Sequence, residues 1–349
     1  MPGLLGQQIR EDLEEILRHA EKDLQSLCSS DVVLTGATGF VGTWLTLSFL
    51  WARRELGLKG HLTLVARNTS GLVSNLENAG FSGGFTAFNS DVRQLQAGTV
   101  PEGSYVVHAA TPARESLNKS DPLEMIDIIV AGQQRILDVS VSRHAAKCLF
   151  LSSGAVYGAQ PESLAGFDER WTGAPDLGVP GNAYHEAKRL AELMGNSMSS
   201  QHSIEFVTAR LFAFLAPFLP QDEHFAAGNF VSDASHGRKI SIKSGGGSVR
   251  TYQYGTDMTA WLWVILNRGI SGQAYNVGSA HCVTIRELAE VVAQESGKPD
   301  NVEILGNDEP GSVSHYVPDV TKACRELGLD NYVGLPEAVR RTLRWTGES

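Results

Sequence analysis

Cysteine is scarce in this chain of 349 residues: Cys28, Cys148, Cys282 and Cys324, with no close pair and no metal-type spacing. That excludes a disulfide-stapled scaffold and a cysteine-built metal centre. No metal site is expected, and the usage fits a reduced, cytoplasmic compartment. Basic clusters are missing too. There are 29 Lys and Arg against 39 Asp and Glu, a formal charge of −10, and no dense Lys/Arg run. Nucleic acid is therefore not an expected partner. Long apolar runs are also absent. The richest, Leu211 to Leu219, is short and carries Pro217, well under the ~18 residues that span a bilayer, so no membrane partner is expected. The opening MPGLLGQQIREDLEE turns acidic too early to read as a secretory leader. Neither an internal repeat nor a low-complexity tract is visible. The length suits one large domain or two modest ones.

What is present begins with the segment Asp31 to Gly42, DVVLTGATGFVG. A β-branched run ends in Gly36, Gly39 and Gly42, spaced three apart, and a helix-like stretch from Thr43 to Arg53 follows at once. Strand, tight turn and helix N-terminus together are the layout that binds a dinucleotide pyrophosphate. Gly36 lets the chain turn, Gly39 lets backbone approach phosphate, and Gly42 lets the helix pack close to the strand. Free N–H groups and the positive end of the helix dipole then face the anion.

Apolar runs at 31–35, 61–66, 85–88, 104–108, 147–152 and 205–210 alternate with helical stretches that include 43–56, 122–143 and 183–200. Such alternation predicts an α/β fold, a Rossmann-type doubly wound parallel sheet joined by right-handed crossovers. After about residue 212 the rhythm breaks at Pro217, Pro220, Gly245 to Gly247 and Gly255. Helical stretches return at 257–268 and 284–296, and 319–345 holds two short helices around Pro336. A smaller, mixed α/β C-terminal region closing over the sheet end is expected. Residues 7–27 read as an amphipathic helix, with Ile9, Leu13, Ile16, Leu17, Leu24 and Leu27 on the face packed onto the domain edge. The organisation is then an N-terminal helix over 1–29, a dinucleotide-binding domain over 30–212 with 250–280 interleaved, and a substrate-binding region over 213–349.

Two further motifs carry chemistry. Tyr184 and Lys188 are four apart on a helical stretch and share one face. An ammonium beside a phenol is expected to lower the phenol pKa from ~10, so that it passes a proton to or from a carbinol oxygen. The strand LFLSSG ends in Ser152, Ser153 and Gly154, where ligands sit in an open α/β sheet. The strand at 61–66 ends in Arg67 rather than the acid that holds ribose hydroxyls, so Arg67 suits a 2′-phosphate and favours NADP over NAD.

With Ser90-Asp91-Val92, Val107-His108-Ala109-Ala110, Gln253-Tyr254 after Arg250, and Tyr275-Asn276-Val277-Gly278, these motifs resemble the extended short-chain dehydrogenases/reductases. The likeness is to their nucleotide-sugar epimerase/dehydratase group and runs from about residue 30 to the C-terminus. It implies a cofactor site of Gly36, Thr38, Gly39, Phe40, Val41, Gly42 and Arg67. Asp91 would bind the adenine amino group and Val92 the ring. Ala109 and Ala110 would pass close to the riboses, with Thr111 beside them. Ser153, Tyr184 and Lys188 would be catalytic, Tyr184 and Lys188 also touching the cofactor. Ser153 would contact the sugar, and Asn229 and Arg250 the nucleotide and diphosphate. A homodimer built on 122–143 and 183–200 is implied as well.

Departures from the group's pattern narrow the reaction. Dehydratases place Asp-Glu after the catalytic Ser/Thr, and nucleotide-uronate decarboxylases keep the Glu; here Gly154 and Ala155 stand there. Ile129 and Ala213 replace an Asn each, so a relay through the first and a substrate contact through the second are not expected. The remaining expectation is an NAD(P)-dependent nucleotide-sugar epimerase working through a keto-sugar, at C4. The alternative is an NADPH-dependent ketosugar reductase. Tyr184 and Lys188 weigh against a non-catalytic dinucleotide sensor.

Overall fold

The structure, a computed structural model, describes residues 4–111, 115–220, 225–309, 311 and 313–347. Its strands are β1 Val32–Thr35, β2 Leu62–Ala66, β3 Phe85–Asn89, β4 Tyr105–His108, β5 Lys147–Ser153, β6 Glu205–Leu211 and β7 Phe214–Leu215. They continue with β8 Ile240–Ile242, β9 Val249–Thr251, β10 Gln253–Tyr254, β11 Ala274–Val277, β12 Cys282–Thr284, β13 Val302–Ile304 and β14 His315–Tyr316. The helices are α1 Gln7–Leu27, α2 Phe40–Glu55, α3 Ser70–Asn78, α4 Glu115–Ser120, α5 Pro122–Ser142 and α6 Ala183–Gln201. After them come α7 Ala226–Ser235, α8 Gly255–Arg268, α9 Ile285–Glu295, α10 Thr321–Leu327 and α11 Leu335–Gly347.

Seven parallel strands form the main sheet in the order β11-β6-β5-β4-β1-β2-β3. β1, β2 and β5 are buried along their whole length, which is why they read as unbroken apolar runs. Alternate residues face opposite layers. Val32, Leu34, Leu62, Leu64, Leu149 and Leu151 share a core with Trp44, Leu45 and Trp261. Val33, Val65, Cys148 and Phe150 pack instead with Ile129, Ile136, Ala187 and Ala191 of α5 and α6. The chain order reverses between β1 and β4, and the crevice at such a switch point is where open α/β sheets bind ligands.

α8 is apolar on every side and buried from Gly255 to Leu266. A helix of that kind must be covered all round. The sheet supplies one cover and α1 the other, so α1 lies deeper than an edge helix. It buries Ile9, Leu13, Ile16, Leu24 and Leu27 and also Asp12, whose carboxylate accepts from Tyr254 (2.7 Å), Gln8 (3.0 Å) and Arg341 (3.1 Å). Asp257 is a second buried acid, one oxygen accepting the Tyr332 and Val333 N–H groups at 3.1 Å. Burial pushes both carboxyls from 3.8 up to about 7. Between those values the folded chain holds protons that the unfolded chain has lost. Stability therefore falls as pH rises through this window. Asp257→Asn is expected to remove up to about 1.4 kcal/mol per pH unit of that slope, read from denaturation midpoints between pH 5 and 7. An unchanged slope would refute the assignment.

Three differences from the sequence pattern have local causes. α2 starts at Phe40, three residues earlier than expected, because Gly39 is already its N-cap. The two helices expected within 319–345 are α10 and α11, but Pro336 does not lie between them; it sits in the first turn of α11, where its missing N–H costs nothing. α3, α7 and β11 were not legible as elements, nor were the short strands β7 to β10 and β12 to β14, since two- and three-residue strands carry no readable alternation.

Candidate active site

At the end of β1 the backbone leaves little choice of residue. Gly36 has φ +70°, and a Cβ there would lie 2.5 Å from the Ala109 carbonyl oxygen; one on Gly42 would lie 2.2 Å from the Gly36 carbonyl oxygen. These two contacts draw the β4 end and α2 onto the turn. No side chain caps α2, and Thr38 and Gly39 are exposed ahead of half-buried Phe40 and Val41. The first-turn N–H groups thus face the crevice. Thr35 Oγ1 lies 2.8 Å from His108 Nδ1 and accepts the Ala109 N–H at 3.2 Å, stitching β1 to β4. Burial and the nearby Lys188 charge push His108 down to about 3, so its ring is neutral.

On the rim, Asp91 accepts from the Arg93 backbone N–H (2.9 Å) and from its guanidinium (3.0 and 2.8 Å), which hold the carboxyl below its usual range. Arg93 reaches on to Glu124 and Asp127 of α5. Arg67 is exposed after β2, and its charge also lowers the Asp91 pKa, so the two share this rim. Val92 is buried beside Gly132, where a Cβ would come within 2.8 Å of its methyl.

Deeper in the crevice, β5 delivers Ser153 and the start of α6 delivers Tyr184 and Lys188. Asn118 fixes that start, accepting the Tyr184 N–H (3.1 Å) and donating to the Gly181 carbonyl (2.5 Å). Lys188 Nζ is buried, donates to Leu151 O (2.6 Å) and Thr111 Oγ1 (2.9 Å), and lies 4.5 Å over the Phe150 ring. Burial brings its pKa down to about 7, against the opposing charge of Glu192. The expected lowering of Tyr184 does not occur here. Burial raises its pKa, and the only opposing influence is a hydrogen bond with Ser153. The reason is geometric: the ammonium is engaged by Leu151, Thr111 and the Phe150 face, 5.9 Å from the Tyr184 ring centre.

Sequence reasoning missed Tyr316, whose hydroxyl lies 3.4 Å from Ser153 Oγ. No motif pointed to it, because it sits in a two-residue strand 163 positions away. Phe212 was missed as well. Its ring lies 4.6 Å from that of Tyr316 and fills the space beside Gly154, where a Cβ would meet ring carbons at 2.5–2.8 Å. Behind them, Glu192 accepts from Ser152 (2.5 Å) and from the Arg210 fork (2.7–3.2 Å), and Arg210 donates to Tyr157 (2.9 Å). Tyr157 donates to Asn276 (2.7 Å), so β5, β6 and β11 are locked together below the site.

Arg250 stands on β9 opposite Tyr316 on β14. It donates to the Ser314 carbonyl (2.9 Å) and hydroxyl (2.8 Å) and faces Tyr252 and Tyr316. Asn229 lies half-buried inside α7, whose N-cap is Phe225. Ile129 is buried among Met125, Val106 and Ile136 and offers no polar atom. The cysteines are free, and among the described residues no cluster of His, Cys, Asp or Glu is suited to a metal. No described helix is long and apolar enough to cross a membrane.

The model of the NAD dependent epimerase/dehydratase family matches residues 32–278. A curated relative, UDP-glucuronic acid decarboxylase 1 of Xenopus tropicalis, is 27% identical over 317 residues, covering 90% of this chain and 71% of the relative. Among solved structures, a UDP-glucose 4-epimerase of Thermotoga maritima with UDP-glucose superposes with TM-score 0.76 at 21% identity, over 90% of this chain and 98% of the other. A dTDP-glucose 4,6-dehydratase of Bacillus anthracis in complex with NAD gives 0.74 at 18%, over 90% and 96%. The fold is shared with both solved structures, and the reactions named for the three proteins differ.

Proposed function

Because the chain belongs to the NAD dependent epimerase/dehydratase family, we propose that it is a nucleotide-sugar epimerase acting through a keto-sugar, at C4. The observation that carries this reading is the neighbourhood of Ser153. Gly154 and Ala155 supply no carboxyl, and the Phe212 ring fills the space a side chain at Gly154 would need. Decarboxylation and 4,6-dehydration, the named reactions of some relatives, lack their acid or base at these positions.

The nicotinamide dinucleotide supplies hydride acceptance and return. The turn suits its diphosphate: α2 starts uncapped, and the space at Gly39 is open except for Gly36 O at 3.3 Å. Gly36, Thr38, Gly39, Phe40, Val41 and Gly42 hold the diphosphate end. Asp91 and Val92 hold the adenine, and Ala109, Ala110 and Thr111 line the riboses. Arg67 offers a forked cation to a 2′-phosphate, so NADP is proposed ahead of NAD, the cofactor named with the Bacillus anthracis structure. Ser153 and Tyr184 share the sugar oxygen, Tyr184 taking or giving its proton, while Lys188 holds charge behind them. Arg250 and Asn229 grip the nucleotide diphosphate. Arg67 also favours a second reading, one-way reduction of a ketosugar by NADPH.

We place the protein in the cytoplasm as a homodimer. Leu123 of α5 and Leu190 and Leu193 of α6 are 76%, 44% and 62% exposed, apolar surface on the two helices expected to pair.

Turnover of a panel of UDP-, dTDP-, CDP- and GDP-sugars, with and without NADPH or NADH, tests the reaction. Interconversion of C4 epimers without net dinucleotide consumption is expected. Stoichiometric NADPH consumption on a 4-keto sugar would transfer the assignment to the reductase. Release of carbon dioxide or loss of water from the sugar would overturn both.

A further inference from the structure

Tyr316 has three relations that together give it a task. Its hydroxyl lies 3.3 Å from the Leu211 carbonyl oxygen and 3.4 Å from Ser153 Oγ. The phenolic proton lies between these two acceptors at similar distance and can be given to either. Ser153 Oγ also accepts the Ala155 N–H at 3.2 Å, so a proton received from Tyr316 engages its second lone pair and leaves the serine's own proton for Tyr184 and the sugar oxygen. The Tyr316 ring is held against Phe212 at 4.6 Å, and its strand pairs with β9 opposite Arg250. Arg250 in turn grips Ser314, two residues before Tyr316.

We propose that Tyr316 is a positioning residue that acts through Ser153. It holds the serine hydroxyl in one direction and ties that direction to the segment gripped by Arg250. The inference rests on the reading of Ser153 and Tyr184 as the groups at the reacting sugar oxygen. A hydroxyl that rotates freely must be ordered at each turnover, whereas one fixed by a half-buried partner held on its own strand is ordered beforehand.

The test is Tyr316→Phe, which keeps the ring on Phe212 and removes only the oxygen. Turnover of the active nucleotide sugar is expected to fall about tenfold with KM within about twofold, the scale of one neutral hydrogen bond. The same exchange is then made in a Ser153→Ala background and followed by single-turnover absorbance of the bound dinucleotide over hours. There it is expected to have no further effect, because the residue it acts through is gone. Full activity of Tyr316→Phe would overturn the proposal. So would equal fold-losses in both backgrounds, which would mean that Tyr316 acts independently of Ser153. If Tyr184→Phe also kept full activity, the underlying reading of the site would fail instead, so the two failures are distinguishable.

Discussion

Tyr184→Phe is expected to lower turnover on a nucleotide sugar by about 10²- to 10⁴-fold, the usual contribution of a positioned acid/base group. The phenylalanine keeps the ring and deletes only the hydroxyl that Ser153 contacts. Lys188 retains its bonds to Leu151 and Thr111, and the glycine turn lies on another element. Dinucleotide affinity is therefore expected to stay within about twofold, and the melting temperature to stay nearly unchanged. Burial keeps Tyr184 protonated at neutral pH in the free chain; oxidation of the sugar hydroxyl needs that proton lost first, after which the phenolate takes up the sugar proton and can donate it back. Donation is the direction needed when hydride returns to a keto-sugar. Steady-state kinetics, with dinucleotide titration of the same variant, separates the two effects. Wild-type turnover in Tyr184→Phe would remove the acid/base role altogether.

Gly36→Ala is expected to act on the other half of the site and on the fold together. At φ +70° an L side chain costs about 1–2 kcal/mol, and here the added methyl also runs into the Ala109 carbonyl, with overpacking adding about 1–3 kcal/mol. The carbonyl belongs to backbone at the end of β4 and cannot rotate away as a side chain would. Relief requires parting β1 from β4, which shifts Ala109 and Ala110 and re-aims the start of α2. A loss of about 2–5 kcal/mol in denaturant stability is expected, with dinucleotide binding reduced below detection by calorimetry. Gly57→Ala is the control. It too has positive φ, +64°, but nothing lies within 4 Å of its Cβ, so it carries the strain without the collision. If Gly36→Ala and the control lost equal stability, and both bound dinucleotide, the close approach would not be what the site depends on.

Six of the seven strands of the large sheet were legible, because β1, β2 and β5 are buried along their whole length and read as apolar runs and helices separate the strands; β11 was seen only as a motif. The three glycines declared the turn for a similar reason: each stands where backbone meets backbone. Arg67, Asp91, Ser153, Tyr184 and Lys188 were likewise visible as motifs on or beside those elements. α7 and the short strands were not. Strands of two or three residues have no period to detect, and their hydrogen bonds are made to segments far away in the chain. Pro336 misled for a comparable reason, since a proline in the first turn of a helix looks in sequence like a break.

The sequence by itself determined the layered α/β architecture, the dinucleotide turn and the absence of carboxyls after Ser153, all of which are properties of neighbours along the chain. Only the tertiary structure decided how that site is charged and closed. The ammonium of Lys188, four residues from Tyr184, is engaged by Leu151, Thr111 and Phe150, and burial raises the phenol that spacing alone suggested it would lower. Phe212 and Tyr316, from segments after the sixth strand and near the C-terminus, fill the space beside Gly154 and meet Ser153. Proton affinity depends on distance and on water excluded by distant segments, and neither is written in local spacing.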